Sequence, residues 1–245
     1  MVRTVDYGSR KKAVLAATIN KYIHDAEPVA SEDIARDFDL SPATIRNILA
    51  ELEADKYLTH PYTSGGRVPT DKGYRYYVDF LLSQMELLKE EKEQISREYK
   101  KKINRLEDIL EKTSEVISLI THYTGISYSS QWQDRFFYRG IGLIFNQPEF
   151  KDYRRICLFI KAIEDKQYLL NVINRDFSDR VKVYIGEELG CPEMESCSLV
   201  VSSYRLKDNS SGKLAVLGPV RMEYKHTIPA LEYIAQVLTE AIDDI

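Results

Sequence analysis

The sequence predicts an α+β chain in three stretches, and three observations carry that reading. Residues 1–82 show short helical patterns broken by turn signals. Residues 83–122 form a charged run at helical spacing, free of proline and glycine. Residues 123–245 mix turn-bounded, β-branched segments with amphipathic helical ones, as an antiparallel sheet flanked by helices requires. The expected domains are therefore 1–82, a linking or dimerising helix at 83–122, and an α+β domain at 123–245.

The first helix is read from Ala13, Leu15, Ala16, Ile19, Tyr22 and Ile23, with a stop at Asp25-Ala26-Glu27-Pro28. Ser31 is the expected N-cap of a short helix, SEDIARDF, that buries Ile34, Ala35 and Phe38. After Asp39-Leu40 comes Ser41-Pro42, a strong start signal. The serine hydroxyl accepts from orphan amides, and proline is pre-set in φ with no N–H to leave unpaired. On a helical wheel Ile45, Ile48, Leu49 and Leu52 face inward, Ala43, Asn47 and Ala50 face outward, and Thr44 and Arg46 lie on the flanks.

Two helices joined by a short turn, the second presenting small residues with Arg and Asn, form a helix-turn-helix pattern. Its chemistry suits a DNA major groove. Arginine matches guanine O6 and N7, asparagine matches adenine N6 and N7, and threonine or alanine methyls can meet a thymine methyl. A short strand, Tyr57 to His60, and a turn at Gly65-Gly66 follow, with Arg67 at or just beyond the tip. A hairpin in that position is a wing, and its arginine can reach phosphates or a narrow minor groove. A helix restarts at Thr70 and carries Lys72 and Arg75. The candidate DNA contacts are thus Ser41, Ala43, Thr44, Arg46, Asn47, Arg67, Lys72 and Arg75.

In residues 83–121, 17 of 39 residues are charged, with the signs nearly balanced. Spacing by threes and fours from Leu81 passes through Leu88, Ile95, Tyr99, Leu106, Ile109, Val116 and Ile120, which predicts one long helix with a coiled-coil-like seam. Such a helix pairs with its copy in a dimer or packs along its own chain. The dimer is the expectation carried forward, with Leu88, Ile95, Tyr99 and Leu106 as its contacts.

Further on, Ile156 to Ile173 reads as helix with a break at Glu164-Asp165. VKVYIG, SLVVSSYRL and KLAVLGPVRM read as strands, and IPALEYIAQVLTEAI as a closing helix. Site chemistry is sparse here. Gly140-x-Gly142 lacks the third glycine of a dinucleotide loop, the four histidines are scattered, and Cys157, Cys191 and Cys197 make no C-x-x-C pair. No catalytic residues, metal or cofactor are expected.

Net charge is −4 and the pI is near 5.7, which counts against indiscriminate nucleic-acid binding. A local basic patch can still act on an acidic chain. Residues 1–82 hold 11 Lys and Arg against 12 Asp and Glu, but residues 59–78 carry Arg67, Lys72 and Arg75 against Asp71 alone. The N-terminus lacks an apolar leader and no stretch spans a bilayer, so the expected location is the cytoplasm, without membrane association.

The motifs also carry a resemblance. Pro28-Val29 with Ser31, the run Ser41 to Asn47, Leu52-Glu53, and Gly66 to Arg75 resemble the winged-helix end of the HrcA-type heat-inducible transcription repressors of bacteria. Gly142 to Phe150, Ile185-Gly186-Glu187 and Gly212 to Tyr224 resemble the second half of that family, in the same order. The resemblance implies a dimer on an inverted-repeat operator upstream of chaperone genes, located at the nucleoid, with a C-terminal GAF-like domain and support from a GroEL-type chaperonin. It also implies that Thr44, Arg46 and Asn47 contact bases or backbone and that Arg67 is the wing contact. Here the chain passes almost directly from Thr121-His122-Tyr123 to Gly140, a shorter middle than the family pattern. Two other readings stay open: a GAF-like sensor of a small ligand, and a coiled-coil module that binds protein rather than DNA.

Overall fold

The structure is a computed structural model that describes residues 7–61, 66–82, 86–99, 105–130, 136–175, 180–207 and 210–243. It divides into two compact units, Met1–Ser83 and Gln84–Ile245.

The N-terminal unit holds α1 (Tyr7–Asp25), α2 (Ser31–Phe38), α3 (Pro42–Ala54), a two-stranded antiparallel ladder of β1 (Leu58–Thr59) and β2 (Val68–Pro69), and α4 (Asp71–Leu81). Each helix buries one stripe. Val14, Leu15, Ile19 and Ile23 of α1 meet Ile34 of α2, Ile45, Ile48, Leu49 and Leu52 of α3, and Tyr74, Tyr77 and Val78 of α4, all buried. Each such aliphatic side chain stabilises the fold by about 1.5–3 kcal/mol relative to its exposed state. Ala13, expected inside, is exposed, and Val14 takes its place. The cap of α2 also differs from expectation. The Ala30 amide donates to Asp33 Oδ2 at 3.2 Å, so the carboxylate two residues past Ser31 closes this end. Between α2 and α3, Asp39 turns the chain through left-handed φ of 51°, a conformation that a short polar side chain tolerates.

The second unit corrects the expectation of one long helix. The described residues of 89–121 form two helices, α5 (Lys89–Glu98) and α6 (Leu106–Thr121), and Arg105, just before α6, is extended, at φ −127° and ψ 135°. The seam residues are used within the chain. Ile95 is fully buried. The Tyr99 hydroxyl donates to Thr113 Oγ1 on α6, and Ile109, Val116 and Ile120 are buried. Leu106 is half-buried, while Leu88 is exposed and precedes α5 as its N-cap.

The rest of this unit comprises β3 (Thr124–Ser129), β4 (Phe136–Arg139), α7 (Ile141–Ile144), α8 (Tyr153–Glu164), α9 (Lys166–Ile173), β5 (Val181–Ile185), β6 (Cys197–Arg205), β7 (Ser211–Pro219) and α10 (Tyr224–Asp243). The strands form an antiparallel sheet in the order β4-β3-β7-β6-β5. The break expected at Glu164-Asp165 is present, with Asp165 ending α8 and capping α9 through Tyr168 N at 3.1 Å. The strands β3 and β4 were not anticipated.

Helices cover both faces of the sheet, and alternation along the strands decides which side chain goes where. Ile126, Leu199, Val201, Ala215 and Leu217 point to Phe150, Phe159, Ile163 and Leu169 on one side. On the other, Ser127 Oγ donates to Leu110 O of α6 at 2.6 Å, and Ser198 Oγ pairs with the Tyr224 hydroxyl of α10 at 2.6 Å. The first helix of this unit, α5, docks on α10, where Glu91 meets His226 Nε2 at 2.7 Å and Ser96 meets the Tyr233 hydroxyl at 3.1 Å.

Candidate nucleic-acid interface

Four buried aliphatics and a cap fix α3 in place. The Ser41 hydroxyl accepts from Thr44 N at 3.1 Å and lies 2.8 Å from Thr44 Oγ1, and Pro42 occupies the first turn. At the far end Lys11 of α1 spans Glu51 at 3.1 Å and Asp55 at 2.8 Å. The Lys11 hydrogen bond holds the Asp55 carboxyl below its ordinary range, and the same bond raises Lys11. With Ile45, Ile48 and Leu49 at 0–1 % exposure, the helix cannot rotate without uncovering its core.

That rotation leaves Ala43, Arg46, Asn47 and Ala50 exposed on one face. Thr44 is half-buried beside them and hydrogen-bonded to Ser41. Small residues let a helix axis come close to base edges, and the arginine and asparagine carry donor sets that fit guanine and adenine. Ala43, Asn47 and Ala50, outward on the wheel, are exposed, and so is Arg46, which the wheel put on the flank.

The wing is short and tightly based. Leu58 pairs with Pro69 and Thr59 with Val68. Arg67 exchanges backbone hydrogen bonds with Val29, both at 2.9 Å. A side chain at Gly66 would put its Cβ 2.6 Å from the Val29 carbonyl, so only glycine lets the two backbones approach this closely. The tip, with Tyr62 and Gly65, lies outside the described residues.

The other expected cations are engaged with their own fold. Arg67 is 15 % exposed in its side chain, and its Nη2 meets Glu53 Oε2 at 3.3 Å. Lys72 Nζ donates to Asp55 O at 2.8 Å and sits 4.3 Å from the centre of the Tyr57 ring. Arg75 lies 3.6 Å from Asp79. Lys11, Glu53 and His60 were not among the candidate site residues, and the ion pairs they make were not foreseen. Their partners are 7 to 44 residues away in sequence, and only their charge could have hinted at pairing. Among the described residues no group of three or more His, Cys, Asp or Glu is placed to hold a metal, and no helix is long and apolar enough to cross a membrane.

Comparison with known proteins agrees with this geometry. Residues 7–79 match the family model described as winged helix-turn-helix transcription repressor, HrcA DNA-binding, and residues 88–228 match that of the HrcA protein C-terminal domain. The chain is 29 % identical to the heat-inducible transcription repressor HrcA of Carboxydothermus hydrogenoformans, over 95 % of this chain and 97 % of that one. It is 27 % identical to the protein of the same name from Pelotomaculum thermopropionicum, over 96 % and 97 %. The first alignment runs over 333 positions against 245 residues here, so at least the difference, 88 positions, falls in internal gaps of this chain. A crystal structure of a hypothetical protein shares the fold, with a TM-score of 0.80, 18 % identity, and coverage of 96 % of this chain and 98 % of that one. With family models matching both its N-terminal unit and most of the remainder, the chain belongs to the HrcA family of winged helix-turn-helix transcription repressors.

Proposed function

We propose that this HrcA-family repressor binds an inverted-repeat operator of chaperone genes as a homodimer, with α3 of each protomer in a major groove and the wing against the flanking backbone. The observation that carries the reading is the exposed Ala43–Arg46–Asn47 face of a helix whose rotation is locked by its core. Arg46 and Asn47 read base edges. Ser41 and Thr44 meet the backbone at the helix start, where amides and a partial positive charge favour phosphate. Lys72, Arg75 and Arg67 supply positive charge around the wing. Two recognition helices must meet half-sites about one helical turn apart, so a change of dimer geometry releases DNA without touching a base contact.

The second unit, read as GAF-like, is where heat would act, and a GroEL-type chaperonin supports the active form. The repressor works in the cytoplasm at the nucleoid. The shortened middle leaves both units of the family in place, so DNA binding is kept while the dimer contact is rebuilt from the residues that remain.

The test is equilibrium binding of the full chain to an inverted-repeat operator and to a scrambled duplex across a salt series. The operator should bind about a thousandfold more tightly or better at physiological salt. Its affinity should fall log-linearly with salt, in proportion to the phosphates neutralised. Equal, weak binding to both duplexes would sink the reading.

A further inference from the structure

The carboxylate of Glu53, on the last turn of α3, touches both arms of the wing. Its Oε1 pairs with Nδ1 of His60, the residue after β1, and its Oε2 with Nη2 of Arg67, the residue before β2. The ladder register runs Leu58 to Pro69 and Thr59 to Val68. His60 and Arg67 therefore stand at the next opposed position, where the arms leave the ladder toward the tip. A ladder of two residue pairs is too short to hold a hairpin arm by backbone hydrogen bonds alone. Glu53 thus bridges the recognition helix and both arms where the pairing of β1 with β2 stops.

We infer that Glu53 is a positioning residue for sequence discrimination: it fixes the wing at one angle to α3, so that helix and wing engage one duplex in a single register. The inference rests on the reading of α3 and the wing as the DNA surface. The Arg67 side chain is 15 % exposed, and its Nε is buried with no hydrogen-bond partner among the described residues. Removing the carboxylate leaves that guanidinium in a part-buried place with its counter-charge gone, a costly state. The side chain then leaves for solvent or for the nearest phosphate. The Arg67 backbone stays paired with Val29, so what the loss of Glu53 frees is the Arg67 side chain and the His60 arm, which no longer share a fixed point on α3. Phosphate contacts carry no sequence information, whereas register decides whether Arg46 and Asn47 meet their bases. Loss of Glu53 therefore lowers discrimination rather than attraction.

A simpler role predicts the opposite sign. Were Glu53 only a negative charge close to DNA, neutralising it would tighten binding to every duplex alike.

The experiment uses the full chain, an operator duplex and a scrambled duplex at one salt concentration, with Glu53→Gln, Arg67→Gln, the double variant and Arg46→Ala. Glu53→Gln should lower the operator-to-scrambled affinity ratio about tenfold, because a loosely held contact set loses specificity first. Scrambled binding should hold or rise, and circular dichroism should stay that of the parent. Arg67→Gln should lower the ratio similarly, and the double variant should add little to either single one. Equal tightening on both duplexes, or an unchanged ratio for Glu53→Gln, overturns the inference. If Glu53→Gln unfolds the N-terminal unit, Arg67→Gln decides, and an unchanged ratio there overturns it as well. Should the parent bind both duplexes alike, or Arg46→Ala leave the operator affinity untouched, the DNA reading fails and takes this inference with it. A parent that discriminates through Arg46, with a Glu53→Gln that discriminates equally, overturns the inference alone.

Discussion

The Tyr99 hydroxyl donates to Thr113 Oγ1 at 2.9 Å, joining the end of α5 to the middle of α6. This bond lies within one chain, on residues whose spacing suggested a seam between two chains. Tyr99→Phe should lower the stability of the C-terminal unit by about 1 kcal/mol, the net worth of one hydrogen bond. Thr113 keeps its own bond to Ile109 O at 2.7 Å, so no polar atom is orphaned. Burial pushes the Tyr99 phenol above its ordinary pKa, and the Thr113 bond opposes this only in part. The sign follows: the folded state holds this proton more tightly than the unfolded one. Its contribution is full below the unfolded value near 10 and is lost as pH rises past it toward the folded value. Urea titrations from neutral to alkaline pH should therefore show a shallower alkaline loss for Tyr99→Phe than for the parent.

Arg46→Ala and Asn47→Ala test the recognition face. Both side chains are exposed, so the thermal midpoint should stay within a degree or two of the parent, as for exposed residues generally. Operator affinity should fall by about 1–3 kcal/mol for each, with discrimination relaxed at one base pair and the salt slope unchanged. Lys72→Ala should do the reverse, weakening operator and scrambled DNA alike and reducing the slope by about one. Loss on scrambled DNA equal to that on the operator would remove Arg46 from base reading.

Where structure depends on neighbouring residues it was legible in the sequence, and where it depends on distant ones it was not. Ser41, Pro42 and the Ile45–Ile48–Leu49–Leu52 stripe define α3 within a dozen residues, so its outward face could be read directly. For α5 and α6 the three-four spacing runs on through residues 100–105, where Lys102 takes the seam position and no glycine or proline marks a break. The docking of α5 rests on distant residues: Ser96 meets Tyr233 of α10, Tyr99 meets Thr113 of α6, and Ile95 is buried. The strand β3 was missed because it is buried on both faces, and such a strand shows no alternation of apolar and polar residues. Its Thr, Gly and Ser content hid it further. Arg67 was legible as a wing residue, yet its bond to Glu53 exists only once the hairpin closes.

Ser41→Ala should cost the N-terminal unit about 1 kcal/mol, while Ser41→Gly should cost a few tenths. The hydroxyl satisfies the Thr44 amide and also holds Thr44 Oγ1 at 2.8 Å. Alanine therefore removes a cap and frees the neighbouring side chain that is proposed to meet the DNA backbone. Chemical denaturation of both variants measures the first effect. A Ser41→Ala variant as stable as the parent would mean that the cap contributes nothing here.

Gly73→Ala and Gly142→Ala carry one chemical change into opposite surroundings. A Cβ at Gly73 would lie 2.3 Å from the Tyr57 carbonyl oxygen. That oxygen cannot step aside, because it accepts from Thr70 N at 3.1 Å and from Thr70 Oγ1 at 3.2 Å. Thr70 is in turn the cap of α4, through the Gly73 amide. The added methyl must push the start of α4 away from the foot of the wing, at a cost of about 2 kcal/mol for overpacking. At Gly142, in α7, a Cβ meets nothing within 4 Å. There alanine gains the roughly 0.5–1 kcal/mol by which it is preferred to glycine within a helix. Amide exchange should show faster opening of α1 to α4 for Gly73→Ala, with the β3 to β7 sheet protected as before and operator binding weakened. Gly142→Ala should leave the N-terminal unit and operator binding unchanged. Parent-like protection of α4 in Gly73→Ala would mean that the Tyr57–Thr70 contact yields without strain, and that the wing is not anchored at its foot.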